Sequence, residues 1–299
     1  MKHTVKEWFT ITRYWSFPVS AMPVAVTAAF LLWKGVDVKW LFVLLALLGN
    51  VIFHAAGNLL SDWWDYRKGV DNEKAFAIPF LVHKMFEPKE YIRFSAILFS
   101  IGIAIGLVLT AFTGWQLLII GGIGFLLAAN YSFFKFRALG DIFVFVSFGV
   151  LPVIGTSFVA TGMIDWSLLV ISIPLGIFTV AVLHNNNTVD IATDKESGIH
   201  TLPMLLGEKP SVGLYIAYML IPFVAVAVSC ICGWLPYYSL LCFLAVPAAF
   251  KNISAATSYY SNGRDAILGL DQKTAQLHLV FSLSMIAGFA VAVAVAAIF

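Results

Sequence analysis

The sequence predicts an all-α, polytopic membrane protein, and three observations carry that prediction. Apolar residues make up 61% of the 299 and charged residues only 11%, where a soluble domain has roughly 45–50% and about 25%. Mean hydropathy is +0.91. The apolar residues fall in continuous runs of the length a helix needs to cross a bilayer, about 20 residues, without the alternation of a barrel strand. In lipid the backbone must satisfy its own hydrogen bonds, so these runs read as helices.

Nine spans are expected, at 15–34, 39–60, 92–112, 115–134, 141–161, 166–187, 212–233, 235–256 and 275–298. The first follows a basic start, Lys2 to Arg13, that superficially resembles a signal peptide. Its apolar run is too long for one and carries Pro18 and Pro23, so it reads as a retained helix. With the N-terminus inside, 16 of the 18 Lys and Arg residues lie on the cytoplasmic side and only Lys34 and Lys39 outside, the bias that orients membrane proteins. The C-terminus is then extracytoplasmic, and the expected location is the cell's inner (cytoplasmic) membrane. The net charge is +2 and no loop carries a long basic run, which argues against nucleic acid as a partner. Cys230, Cys232 and Cys242 lie in apolar helices without metal-ligand spacing and read as small packing residues.

Acidic residues are more informative. Fourteen of the sixteen fall on the cytoplasmic side, clustered in two stretches, 58–71 and 186–198, at the ends of the second and sixth spans. Asn58, Asp62 and Asp65 stand at i, i+4 and i+7 and would line one helical stripe; Asn187, Asp190 and Asp194, at i, i+3 and i+7, would line another. A glycine, Gly69 or Gly198, follows each last aspartate by four residues, where a helix would break. Four spans separate the stripes, as a parallel duplication would give.

Ionised acids at such a depth are costly unless paired or coordinated. A ligand set of oxygens alone favours magnesium over zinc, and Mg2+ commonly shares one or two carboxylates with substrate phosphates. Asp62, Asp65, Asp190 and Asp194 are therefore the candidate metal ligands, with Lys68 and Lys195 beside them. A solvated acidic loop is the plainer alternative, against which the doubled stripe and glycine tell. A secondary transporter also uses intramembrane acids, but its site sits near the midplane between inverted repeats, unlike these parallel ends. His54, one turn before Asn58, and His184, abutting the Asn run, could orient or deprotonate a phenol, or simply be hydrogen-bonded structural residues.

These stretches resemble the UbiA superfamily of intramembrane prenyltransferases, and most closely its branch that prenylates 1,4-dihydroxy-2-naphthoate on the way to menaquinone. The likeness runs from Arg13–Pro18 through 58–71, which is similar to a first motif N-L-x-N-D-x-x-D-x-x-x-G-x-D. It continues through Tyr131–Phe136 with Gly140 and Asp141, a second motif with Thr201 and Leu202, and Thr274–Leu279. The resemblance implies one domain over 1–299, nine helices around a central cavity, and transfer of a polyprenyl group from its diphosphate to an aromatic ring. It implies that Asn58, Asp62, Asp65, Asp71, Asn187, Asp190 and Asp194 hold magnesium and diphosphate, that Arg13 contacts the diphosphate and that Tyr131 lies beside the allylic carbon. Phe133, Phe134, Trp63 and Trp64 are further candidates for lining an allylic cation. Three departures stand out: Ser61 in place of Asn, Val189 in place of Arg, and an apolar 75–82 segment. Transfer to 4-hydroxybenzoate or another ring is the runner-up expectation.

Overall fold

The computed structural model describes residues 3–70 and 80–298, and the elements it shows there are helices. Asp71 and residues 72–79, which carry most of the apolar 75–82 segment, lie outside the described residues. A short helix α1 (Val5–Ile11) opens on a capping box between Thr4 and Glu7. Helix α2 (Pro18–Trp33) starts on a proline, whose fixed φ and missing N–H suit a first turn. Helix α3 (Trp40–Lys68) is 29 residues long and runs unbroken through the first acidic stretch to Gly69, which ends it at φ 71. Helix α4 (Pro88–Thr113) and α5 (Gln116–Ala129) form the next hairpin, followed by α6 (Tyr131–Lys135) and α7 (Gly140–Val144). A π-helical turn, Phe145–Val150, leads into α8 (Leu151–Thr161).

The second half begins with α9 (Leu169–Val189) and continues through α10 (Ile191–Glu196), α11 (Leu202–Leu206) and α12 (Glu208–Ile231). After Pro236 a 3-10 segment, Tyr237–Ala245, precedes α13 (Val246–Thr257), α14 (Tyr259–Asn262) and α15 (Leu270–Ile298). Among the described residues eight stretches are long and apolar enough to cross a membrane, and a ninth, α5, is shorter. Its 14 residues reach about 21 Å at 1.5 Å per residue, so the expected span 115–134 is broken at Asn130 and completed by α6. The protein is a multi-pass membrane protein with the expected all-α fold.

Packing is uneven. One core joins α2, α9, α12, α13 and α15, with Phe30, Phe178, Phe223, Phe281 and Phe289 interleaved. Helix α9 lies at the centre of the bundle, whereas most of α4 faces outward. At Gly149 a Cβ would come within 2.8 Å of the Gly176 Cα, and one at Gly176 within 2.7 Å of the Phe145 ring. The π turn therefore rests directly on the backbone of α9. That contact fixes one wall of a cavity bounded by α2, α3, α4, α5, α8 and α9.

Candidate active site

The last turns of α3 present Asn58, Ser61, Asp62 and Asp65, and a tight turn stitches them to the start of the chain. Asn58 Nδ2 donates to the Thr12 carbonyl at 3.0 Å. Arg13 takes a left-handed backbone, φ 57, costly for a residue with a side chain and tolerated where the surroundings enforce it. That turn lays its guanidinium on the Asp62 carboxylate. Asp65 is 5% exposed, and its Oδ2 accepts from Lys135 Nζ at 3.2 Å.

The second acidic stretch is not one stripe. Helix α9 stops at Val189, Asp190 sits in the break at φ −95, ψ 8, and α10 restarts beyond it. Asp190 Oδ1 lies 3.6 Å from an Arg264 guanidinium nitrogen, and Asp194 is 1% exposed. Gly198 has φ 68 beyond α10, as its spacing suggested. The two stretches meet: Ser197 Oγ donates to the Gly69 carbonyl at 3.3 Å. Lys135 stands within electrostatic reach of Asp65, Asp190 and Asp194.

Burial and charge compete at this junction. The Lys135 ammonium faces Asp65 across a 3.2 Å contact in a largely buried position, an arrangement that favours the ion pair. Burial raises Asp190 above the ordinary carboxylate range, against the pull of Lys135, Arg264 and Arg13.

A cavity of about 490 Å3 opens from this junction, with Arg13, Asn58, Ser61, Tyr131 and Asn186 at its polar end and Leu45, Leu109 and Leu117 at the other. Sixteen residues of α3 separate Ser61 from Leu45, about 24 Å of helix. The four aspartates lie just past the polar end and are not part of the cavity wall.

Several expected residues stand elsewhere. Asn187 is buried, and its neighbour Asn186 takes the wall position. Lys68 and Lys195 are exposed at the ends of α3 and α10 and form no ion pair with described residues. Trp63 and Trp64 turn their faces to Arg67, Phe133 takes Arg137 at 3.6 Å, and Phe134 stacks on Phe143 at 3.5 Å. Of those aromatic candidates only Tyr131 lines the cavity. His184 is fully buried between Asp141 Oδ2 at 3.1 Å and the Ser211 carbonyl at 3.0 Å, a structural position. Sequence reading passed over Lys135, although it follows Tyr131 by one turn, and Arg264, for which no local pattern gave a signal.

Comparison with known proteins decides the family. The model of the UbiA prenyltransferase family matches residues 21–268. The chain belongs to the UbiA prenyltransferase family. It is 32% identical over 289 residues to UbiA prenyltransferase domain-containing protein 1 of Danio rerio, covering 94% of this chain and 82% of the relative. The same protein of Homo sapiens is 32% identical over 287 residues, with 94% and 82% covered. A solved UbiA homolog from Aeropyrum pernix K1 shares the fold with TM-score 0.65 and 17% identity, covering 92% of this chain and 97% of that one. A UbiA homolog from Archaeoglobus fulgidus, solved with GPP and Mg2+, gives 0.63 and 13%, covering 94% and 99%. This UbiA family member is an enzyme, a prenyltransferase, which removes the transporter alternative.

Proposed function

We propose that this prenyltransferase moves a polyprenyl group from its diphosphate to 1,4-dihydroxy-2-naphthoate, with carbon dioxide lost from the substituted carbon, and that residues 1–299 act as one domain. The observation that carries the reading is the meeting of two acidic helix ends, each matched by a cation, over a long apolar cavity. Diphosphate chemistry belongs at the charged end and the prenyl chain in the cavity.

The residues at the junction suit magnesium. All candidate donors are oxygens, the choice of a hard cation, and the buried Asp65 Oδ1 has no hydrogen-bond partner. Among the described residues no group of three carboxylates, histidines or cysteines gathers closely enough to hold an ion alone. That suits an ion shared with the substrate's phosphates rather than caged by protein. Asp62, Asp65, Asp190 and Asp194 would hold Mg2+, which as a Lewis acid supplies stabilisation of the charge growing on the leaving diphosphate. The Archaeoglobus fulgidus homolog solved with GPP and Mg2+ supports this reading.

The chain's own groups do the rest. Arg13, Lys135 and Arg264 present preorganised positive charge where the diphosphate departs, assisted by Asn58 and, from the exposed ends of α3 and α10, by Lys68 and Lys195; Asp71 and Asn187 complete the set that the family motifs imply. Tyr131, neutral and at the mouth of the cavity, turns an electron-rich ring toward the allylic cation. The apolar walls keep out water that would trap the cation as an alcohol. Basic residues orient the site toward the cytoplasm of an inner membrane.

The test is turnover of labelled prenyl diphosphate by membranes containing the protein, with magnesium and a panel of acceptors. Prenylated naphthoquinol should form with the naphthoate. Preference for 4-hydroxybenzoate, or for a non-aromatic alcohol, would contradict the acceptor and leave the prenyltransferase chemistry standing.

A further inference from the structure

The cavity wall holds a histidine that the diphosphate chemistry leaves unused. His54 lies on α3, four residues before Asn58 and eight before Asp62, about 12 Å of helix from the acidic end. It lines the cavity, and its ring is held from several sides. Nδ1 lies 3.1 Å from Ser20 Oγ and Nε2 lies 3.4 Å from Ser16 Oγ. The Phe148 ring meets it edge-on at 4.8 Å and the Phe17 ring at 5.9 Å.

Each serine also has a backbone carbonyl within donating distance. Ser16 Oγ donates to the Arg13 carbonyl at 2.7 Å, and Ser20 Oγ donates to the Phe17 carbonyl at 3.0 Å. A hydroxyl has one hydrogen to give, so one that donates to its carbonyl accepts from the imidazole. A neutral imidazole has one N–H. The shorter contact assigns it to Nδ1, donating to Ser20. Nε2 then keeps a lone pair in the wall of the substrate cavity, with only the longer contact to Ser16 beside it. A charged imidazolium would satisfy both serines but would place an unpaired cation at membrane depth, which is costly.

We infer that His54 Nε2 receives the ring hydroxyl of the prenyl acceptor and holds its proton during transfer. This rests on the hydroxylated-ring acceptor proposed above. The hydroxyl proton passes to Nε2 as a ring carbon bonds to the allylic carbon. The allylic C–O bond has by then broken, its electron pair having left with the diphosphate, so the ring carbon's electron pair closes on the allylic cation. Loss of the carboxyl group as carbon dioxide returns an electron pair to the ring, and the ring oxygen takes its proton back from Nε2. The two serines and Phe148 fix the imidazole plane, so the hydroxyl docks one to two turns inside the acidic end and the reacting carbon faces Tyr131.

The experiment uses the whole protein in membranes with labelled prenyl diphosphate, following both transfer to the naphthoate and acceptor-free hydrolysis of the donor. His54→Phe keeps the ring volume and removes both nitrogens. Its transfer kcat should fall about 100-fold, the usual scale of general-base loss, while donor hydrolysis and donor KM stay near wild type. His54→Gln, which offers an acceptor oxygen but cannot take a proton, should restore the acceptor KM and not kcat. Transfer by His54→Phe near the wild-type rate would overturn the inference, as would donor hydrolysis falling in step with transfer, the mark of a merely structural residue. If the wild-type protein turned over no hydroxylated ring, the acceptor class itself would fail, and this role with it.

Discussion

Each of Asp62, Asp65 and Asp190 faces a cation that comes from a different part of the chain, Arg13, Lys135 and Arg264. Arg264 bears on the missing arginine of the second motif. Val189, which stands at that position, is 5% exposed and packed in the core shared by α9 and α12, so its side chain is not in the site. Arg264 reaches Asp190 instead. Arg264→Gln should raise the donor KM about tenfold, as loss of one charged contact worth about 1.4 kcal/mol would, with the acceptor KM unchanged in steady-state assays. Val189→Arg should lower thermal stability without improving donor KM, because it forces a charge among apolar side chains; a lower KM would show that Arg264 has not taken the role. The aspartates could be read from spacing because a helix repeats locally. Arg264 could not, since only folding brings it beside Asp190, 74 positions away.

At the scale of elements, the first acidic stripe follows from an unbroken helix, whereas the second is divided at Asp190 between α9 and α10. Spacing alone cannot distinguish the two, because a single residue off helical geometry leaves the i, i+3, i+7 pattern intact. Before the break, the face of α9 turns Asn187 inward and gives the wall to Asn186. The π turn is a second feature that apolar runs conceal. Phe145–Val150 presses Gly149 onto Gly176 with no room for a Cβ. Gly149→Val should therefore push the π turn from α9 and destabilise the protein by about 1–3 kcal/mol, the cost of overpacking. A thermal-unfolding scan in detergent checks it, and an unchanged midpoint would show that the contact is slack. The chain between the motifs also contributes more than its composition suggested. Leu81, at the end of the apolar 75–82 segment, is buried against a cluster with Ile11, Leu59, Phe86 and Tyr91, under α1.

For the whole molecule, the apolar runs gave the nine-helix count, because hydrocarbon thickness sets helix length. They gave no warning of the short α5 or of the 3-10 entry to α13, where local geometry departs from a straight span. Nine crossings, the eight long stretches and the shorter α5, would put the ends of the chain on opposite sides. Reporter tags near Arg67 and Lys195 should read cytoplasmic and one at Phe299 extracytoplasmic; a cytoplasmic C-terminus would mean that one helix does not cross. The central claim is that two acidic helix ends, from separate halves of the chain, make a single magnesium–diphosphate site at the mouth of the cavity. The most direct measurement is magnesium-dependent prenyl transfer by reconstituted wild-type protein and by Asp62→Asn and Asp190→Asn, one change in each half. Both variants should lose transfer, and EDTA should abolish wild-type activity until magnesium is restored. Full activity in either variant, or in metal-stripped protein, would contradict the account.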